Sequence, residues 1–426
     1  MNANFLLKNK KAKKLYEKYA KALPIIDFHN HISAADLSSN RQFKTLTEIW
    51  ITPDPYKHRL MRICGVEEHY ITGKATDEEK FEKFCEIFHL LAGNPVYDWA
   101  RMEMQTVFGI SDTICKENAK IIYDKANAKL CQKEFSHNAI LEKFNVEYHS
   151  PVAMLLDDLT PFNGKGVAPS LRADNLVSPT AEFKAQLKMA TGHATDTDEE
   201  YLQAVEIMLD RFALAGCKFA DHALDAGFFD GDEQKLKILT SLGVLYAKRG
   251  WTLLLHLDAK RKTSSRLLEI AGPAGGYAAV GANFPLTEVC DLLGDMERAG
   301  GLPDTVVFPL NMSDQAPLAV MQGSFSQDKV ASKVQLGPAW WWCDHALGIT
   351  NTLNCIANFG AVSQFIGMTT DSRSVLSFVR HDYFRRIVCS WLIQQNETGE
   401  WNLTESQLGE IAQKICYRNA LDKINK

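Results

Sequence analysis

Residues 23–31 read LPIIDFHNH, and this stretch decides how the chain begins to fold. The run LPIIDF is short and apolar, which is typical of a buried parallel strand. It leads directly into His29 and His31, which are predicted to point the same way because alternate residues of a strand share a face. Two polar residues at a strand exit are the plain alternative. We favour a divalent transition metal site, which neutral imidazoles suit. Asp27 is expected to orient His29 or to cap the loop.

Seven further apolar runs resemble the first one, and helical patterns lie between most of them. They span residues 144–149, 166–171, 214–221, 251–256, 304–310, 332–338 and 364–370. Strands that alternate with helices predict a parallel α/β sheet, and eight strands favour closure into a barrel. We therefore predict an α/β fold, a (β/α)8 TIM barrel.

A long helical and aromatic segment separates the first two predicted strands. A compact domain does not hold a structureless loop of that length, so the segment is read as a helical insertion after strand one. The predicted organisation is an N-terminal helix and first barrel strand in 1–34, the insertion in 35–142, and the remainder of the barrel in 143–426. Loops after barrel strands lie over the active-site face, so the insertion is expected to roof the site.

Composition excludes several classes of partner. The net charge is −5 and no basic run could follow a phosphate backbone, which argues against nucleic-acid binding. No apolar stretch reaches the roughly 20 residues that span a bilayer, and the N-terminus lacks the pattern of a signal peptide. The ten cysteines include no CxxC pair. Scattered cysteines in apolar runs predict reduced thiols and a cytoplasmic protein.

A second chemical signal lies near the other end of the chain, in the stretch GMTTDSR at 367–373. Asp371 follows the eighth predicted strand, across the barrel from the first, where it could reach the same metal or act as a base. It could equally cap the helix that follows. The pairing with the two histidines favours a functional role. His222 and His256 also close apolar strands, where a hydrogen bond to a neighbouring loop is the alternative role.

Several longer stretches carry a family resemblance: PIIDFHNHISAADL, ITGKATDEEKF, GNPVYDWARMEMQTVFGI, GCKFADHALD and FIGMTTDSRSVLSFVRHDYFRRIVC. Through them the chain resembles the uronate isomerase (glucuronate isomerase) family of the amidohydrolase superfamily over nearly its whole length. The resemblance implies a distorted (β/α)8 TIM barrel of the metal-dependent hydrolase type, with the helical insertion after strand one. It also implies an aldose-ketose isomerase of carbohydrate metabolism. Such an enzyme converts D-glucuronate to D-fructuronate, or D-galacturonate to D-tagaturonate, by proton transfer between C2 and C1.

The resemblance also implies roles for individual residues. It implies one divalent metal ion, expected to be zinc, and a small-molecule hexuronate as the partner, with a homo-oligomer left open. The implied metal ligands are His29, His31 and Asp371; the implied catalytic residues are Asp371, Arg373 and Tyr56; the implied substrate contacts are Arg172, His222, His256 and Trp341. For Tyr56, Arg172 and Trp341, ordinary packing is the alternative.

The chain departs from the family pattern at several places. Pro55 stands where the family has a histidine before Tyr56, Pro151 to Met154 lack the family's polar residues, and 283–285 lack its arginine. A pocket that loses hydrogen-bond partners discriminates differently among substrates, so we expect isomerase chemistry with an altered or weakened preference among uronates. Two alternatives stay open: a metal-dependent hydrolase with an altered substrate, and a protein that binds a sugar acid without turnover.

Overall fold

A parallel sheet of seven strands forms the centre of the molecule. The computed structural model describes residues 3–281, 284–399 and 401–426. Its strands are β1 (Ile25–Asn30), β2 (Val146–Met154), β3 (Ser170–Arg172), β4 (Phe219–Leu224), β5 (Thr252–Leu257), β6 (Ala259–Lys260), β7 (Ala279–Val280), β8 (Asp304–Pro309) and β9 (Val334–Leu336). The sheet order is β1-β2-β3-β4-β5-β8-β9, and every pairing in it is parallel. The short strands β6 and β7 pair with each other as an antiparallel ribbon.

Helices surround this sheet. After β2 they span Ala181–Thr191, Asp198–Leu214, Glu233–Lys248, Ser265–Ala271, Leu286–Arg298, Gln315–Met321, Ala346–Phe359, Arg380–Glu397, Glu405–Gln413 and Asn419–Ile424, and one more, Lys10–Leu15, precedes β1. All residues of β1, β5 and β8 are buried, as expected for parallel strands covered on both faces. A curled parallel sheet with helices around it confirms the predicted distorted (β/α)8 barrel. No helix formed by the described residues is long and apolar enough to cross a bilayer.

Between β1 and β2 the chain forms only helices and turns, since residues 31–145 are all described and none of them is in a strand. The helices are Ala34–Ser38, Leu46–Trp50, Pro55–Ile63, Asp77–Ile87, Pro95–Phe108, Ala119–Leu130 and His137–Lys143. Their apolar faces are buried on one another, for example through Trp50, which contacts Phe81 and Phe84 with ring centroids 6.0 and 5.2 Å apart.

The eighth predicted strand, 364–370, is wrong as a regular strand. Its residues form a 3-10 turn, Val362–Gln364, followed by irregular chain. The segment still closes the barrel, because it bonds to both sheet edges. Ile366 N donates to the Gln335 side chain of β9, and beyond the segment Asp371 N donates to the His29 carbonyl of β1. On the β9 side a side-chain acceptor replaces a ladder bond, and on the β1 side His29 N donates to Thr369 Oγ1, so the pattern of a regular strand is lost.

Asp27 of β1 holds this closing segment in place. The carboxylate is fully buried and accepts from the Thr370 backbone N–H at 2.9 Å and from Asn30 Nδ2 at 2.9 Å. Thr369 Oγ1 lies 3.1 Å from Oδ1, and His381 Nε2 lies 2.9 Å from Oδ2. The expectation that Asp27 orients the ring of His29 is wrong, because its partners lie on the closing segment, on Asn30 and on the helix after it.

Replacing Asp27 by alanine should lower the free energy of unfolding by about 3 kcal/mol, because buried donors on three parts of the chain lose their acceptor. Urea unfolding followed by circular dichroism measures this change. Asp196→Ala is the matched control, since that side chain is 80% exposed and its loss should cost less than about 0.5 kcal/mol. Equal stability of the two variants would contradict the role of Asp27.

A second buried carboxylate, that of Asp304, ties the C-terminal residues to the amino end of the barrel strands. Asp304 is the first residue of β8, and it pairs with Lys423 at 2.8 Å, with Lys333 at 3.3 Å and with Lys426. Burial opposes its ionisation, but Lys423 and Lys426 outweigh burial and lower the pKa of Asp304 to about 2.

Asp304 should therefore stabilise the fold in a pH-dependent way. Its pKa is about 3.9 in the unfolded chain, so the ionised group contributes about 2 kcal/mol above that pH. The contribution is lost as the pH falls towards 2. The gap in unfolding free energy between wild type and Asp304→Asn should narrow as the pH falls from 5 towards 3. Urea titrations at several pH values measure it, and a constant gap would argue against this ion cluster.

Candidate active site

Side chains from five segments meet at the carboxyl end of the barrel strands. The strands contribute His29 (β1), Arg172 (β3), Asp221 (β4) and His256 (β5), and Asp371 directly follows the closing segment 364–370. One cavity is lined by His29, His31, Arg172, Asp221, Ala223, His256, Arg261, Trp340, Trp341 and Asp371. The carboxyl ends of barrel strands are where active sites of this fold lie, so this cavity is the candidate site.

Two imidazoles and one carboxylate converge in this cavity. His31 Nε2 lies 3.0 Å from Asp371 Oδ1, and His29 Nε2 lies 3.6 Å from the same oxygen. One ligand atom from each of the three residues lies within 4.8 Å of the others. Two imidazole nitrogens and a carboxylate oxygen are a donor set for a divalent transition metal, so the residues present fit such an ion.

The electrostatics of Asp371 and His31 agree with that fit, whereas Asp371 and Asp221 raise the pKa of His29 against the effect of burial. Burial opposes ionisation of Asp371, yet hydrogen bonds from His29 and His31 hold its pKa well below the ordinary range. Burial also lowers the pKa of His31 to about 4, despite the carboxylate beside it. At neutral pH the site therefore presents an ionised carboxylate and a neutral His31, and these are the forms that bind metals.

Asp221 is a functional candidate that the sequence reasoning missed. Its Oδ2 lies 3.8 Å from His29 Nε2, 3.9 Å from His256 Nδ1 and 4.0 Å from an Arg172 nitrogen. Burial raises its pKa although Arg172 and His29 oppose this, and its Oδ1 has no partner among the described residues. His29, Asp221 and His256 form a second group of three possible ligands.

The structure does not bring His222 to this cavity. His222 follows Asp221 in β4, so the two side chains point to opposite faces of the sheet. Its Nε2 lies 3.0 Å from the hydroxyl of Tyr246, on the helix Glu233–Lys248 that covers the barrel from outside. Period-two alternation within KFADHAL shows that Asp221 and His222 face opposite sides of the sheet, but it does not show which of them faces inwards.

His256 does line the cavity, where aromatic rings enclose it. Its ring stacks on Phe308 with centroids 4.5 Å apart and lies 4.7 Å from Trp340 and 4.8 Å from His29. Burial lowers the pKa of His256 well below its ordinary value. The imidazole is therefore neutral and held rigidly beside His29.

Trp341 contacts the candidate catalytic carboxylate directly. Its indole N–H donates to Asp371 Oδ2 at 2.8 Å, and the Arg261 guanidinium lies 4.9 Å above its ring. Both Trp341 and Asp371 have left-handed backbone conformations, with φ of 48° and 49°. Non-glycine residues adopt such conformations at a cost, and they concentrate at functional sites.

Tyr56 and Arg373 lie on the side of Asp371 that faces the helices after β1. The three residues line one small cavity, and Tyr56 also lines a larger neighbouring cavity of about 610 Å³ together with Trp341. Pro55, a departure from the family pattern, is the first residue of the helix Pro55–Ile63, which Asp54 caps. Proline is well suited to that position because it needs no N–H donor there.

The alternative of Asp371 as a helix cap is wrong. The next helical turn is Val375–Val379, and the side chain of Ser374 accepts from the Leu376 N–H at its start. The Asp371 carboxylate is left to the cavity and its partners there.

Arg172 lies at the end of β3 between two acids, 3.0 Å from Asp174 and 4.0 Å from Asp221. Among the departures that the structure describes, Pro151 to Met154 do not line the cavity. Phe284 contacts Phe229 with ring centroids 5.9 Å apart, and residue 283 lies outside the described residues.

Known proteins are similar to this chain over its whole length. The family model described as glucuronate isomerase matches residues 1–239 and 230–423. The uronate isomerase of Caldanaerobacter subterraneus is 37% identical over 458 aligned positions, which cover 99% of this chain and 98% of that protein. The uronate isomerase of Oceanobacillus iheyensis is 36% identical over 99% of this chain and 97% of its own length.

Solved structures agree with the sequence matches. Uronate isomerase from Thermotoga maritima superposes with a TM-score of 0.91 at 25% identity and covers 100% of this chain and 99% of its own. Glucuronate isomerase from Caulobacter crescentus, at 20% identity, shares the fold with a TM-score of 0.86 over 97% and 94% of the two chains. From the family model and the curated relatives together, the chain belongs to the glucuronate isomerase family.

Proposed function

We propose that this chain interconverts the aldose and ketose forms of a hexuronate, D-glucuronate or D-galacturonate, by moving a proton between C2 and C1. Family membership supports an enzyme of this reaction type rather than a hydrolase. The observation that carries the proposed site is the convergence of His29, His31 and Asp371 at one cavity. A small sugar acid is the partner that this reaction requires.

His29, His31 and Asp371 would hold one divalent ion, and we propose zinc because nitrogen-rich sites with one carboxylate suit it. When bound, the ion supplies positive charge that stabilises negative charge on the substrate oxygens. We also propose a cytoplasmic location, in keeping with ten free cysteines.

Asp371 is the proposed proton carrier between the two carbons. Its pKa lies well below the ordinary range, so at neutral pH the carboxylate is ionised, which is the form that can act as a base. The enediolate that results takes the same proton back at C1 after the proton of the C2 hydroxyl has passed to O1, which leaves a hydroxyl at C1 and a carbonyl at C2. Trp341 donates to Oδ2 and fixes the plane of the carboxylate, so one base can serve both carbons.

Positive side chains around the cavity suit the acid group of the substrate. Arg172 has two acids beside it, which fix the guanidinium at the cavity wall, and a guanidinium can bind a carboxylate through two parallel hydrogen bonds. Arg373 lies on the other side of Asp371, within electrostatic range of both that carboxylate and Arg172. Tyr56 would orient a substrate oxygen from the helical side.

Incubation of the metal-loaded protein with D-glucuronate and, separately, D-galacturonate in deuterated water tests the reaction. We expect the 2-keto product in the NMR spectrum, with deuterium at C1 to the extent that the carried proton exchanges with solvent. Asp371→Asn should lose at least about 1000-fold in rate because it removes the base together with a ligand. A protein that forms no ketose from either sugar, or an equally active Asp371→Asn, would refute the proposal.

Zinc titration of the metal-free protein tests the ligand set. His31→Ala should weaken zinc binding by more than about 100-fold, because losing a ligand costs more than the 10- to 100-fold typical of its supporting residues. His193→Ala is the matched control, since His193 is exposed and far from the cavity residues in sequence. Unchanged affinity in His31→Ala would exclude it as a ligand.

A further inference from the structure

Arg380 is a buried cation that the proposed reaction does not use. It is the first residue of the helix Arg380–Glu397, and only 3% of it is exposed. Its Nη1 donates to Asp344 Oδ2 at 2.9 Å and its Nη2 donates to the Thr370 carbonyl at 2.6 Å. Burying a guanidinium is costly unless it is well paired, so these contacts call for a function.

The two hydrogen bonds of Arg380 reach both ends of the contact between Trp341 and Asp371. Thr370 precedes Asp371 directly, so its carbonyl sets the course of the backbone at the carboxylate. Asp344 closes the turn that begins at Trp341, because its backbone N–H donates to the Trp341 carbonyl at 3.1 Å. One rigid group thus joins the two segments whose left-handed residues meet in the cavity.

Aromatic rings extend the same arrangement to the helical side of the site. The Arg380 guanidinium lies 5.7 Å from the ring centroid of Tyr56 and 4.7 Å from that of Trp99. The rings of Tyr56 and Trp99 meet edge to face at 6.0 Å. The cation therefore also fixes the position of the residue proposed to orient a substrate oxygen.

We infer that Arg380 is a positioning residue for the isomerisation. It holds Asp371 in place through the Thr370 carbonyl and Trp341 through the Asp344 carboxylate. It holds Tyr56 through its contacts with the rings of Tyr56 and Trp99. The inference rests on the proposed function, because Asp371 is taken as the proton carrier. This positioning role needs a planar guanidinium, because two acceptors in different segments are bridged at once. A lysine ammonium is a point charge that cannot reproduce this geometry.

The test compares Arg380→Lys with Arg385→Lys. Arg385 is a matched control on the same helix: it is also buried and also bridges two acceptors, the carbonyls of Leu23 and Pro24, at 2.7 and 2.6 Å. It contacts none of the three site residues. We expect Arg380→Lys to lower kcat about 100-fold, the size of effect that a 1 Å misplacement produces, and Arg385→Lys to stay within about 3-fold.

The split between kcat and KM separates positioning from a loss of substrate binding. Arg172, the proposed partner of the substrate carboxylate, is held by Asp174 and Asp221 and not by Arg380. KM in Arg380→Lys should therefore stay within about 3-fold of wild type. If Arg380 acts by positioning the indole of Trp341, the Arg380→Lys/Trp341→Phe double variant is expected to have a kcat no lower than that of the slower single variant.

Three results would overturn the inference: kcat of Arg380→Lys within about 3-fold of wild type, equal losses of kcat and Tm in the two lysine variants, or a fully additive double variant. Failure of the proposed function gives a different result, the absence of ketose from wild type. In that event the zinc affinity of Arg380→Lys tests whether Arg380 positions Asp371. A loss of about 10-fold, as for supporting groups of a metal site, sustains the positioning of Asp371, and an unchanged affinity overturns it.

Discussion

The burial of the Asp27 carboxylate is the constraint on which the rest of the molecule depends. A charged group with no exposure needs donors around it, and here they come from Asn30, Thr369, Thr370 and His381. Satisfying that one side chain closes the barrel where regular pairing stops. Closure of the barrel in turn sets the course of the backbone beside β1, so that the Asp371 carboxylate enters the cavity. The closure of the barrel and the placement of Asp371 therefore both depend on the pairing of the buried Asp27 carboxylate.

The site is organised as opposing charges in a buried setting. Asp221 and Asp371 both approach the Nε2 atom of His29, and Arg172 lies near Asp221. Burial and neighbours push the pKa values of the two acids in opposite directions, upwards for Asp221 and downwards for Asp371. Such divergence is frequent where groups have different chemical tasks. Two acids in one cavity are thus electrostatically distinct before any ligand enters.

The sequence predicted the barrel and the paired histidines because both depend on short-range periodicity. His29 and His31 share a strand face whatever the rest of the chain does. The irregular course of the segment 364–370 could not be predicted from the sequence. The segment is joined to β1 through side chains such as Thr369 rather than through a regular ladder of backbone hydrogen bonds. Asp221 was missed for a related reason: in Asp-His either residue can face inwards, and only the register of β4 against its neighbours decides.

The candidate ligands lie far apart in the chain, His29 near its beginning and Asp371 near its end. During synthesis the two histidines emerge from the ribosome long before the acid that completes the cluster. Contacts of such large sequence separation form late, because closing the intervening loop costs entropy first. A nascent chain that stops before residue 369 lacks both the donors Thr369 and Thr370 to Asp27 and the candidate ligand Asp371. The proposed ligand set is therefore complete only after the chain has been synthesised past Asp371.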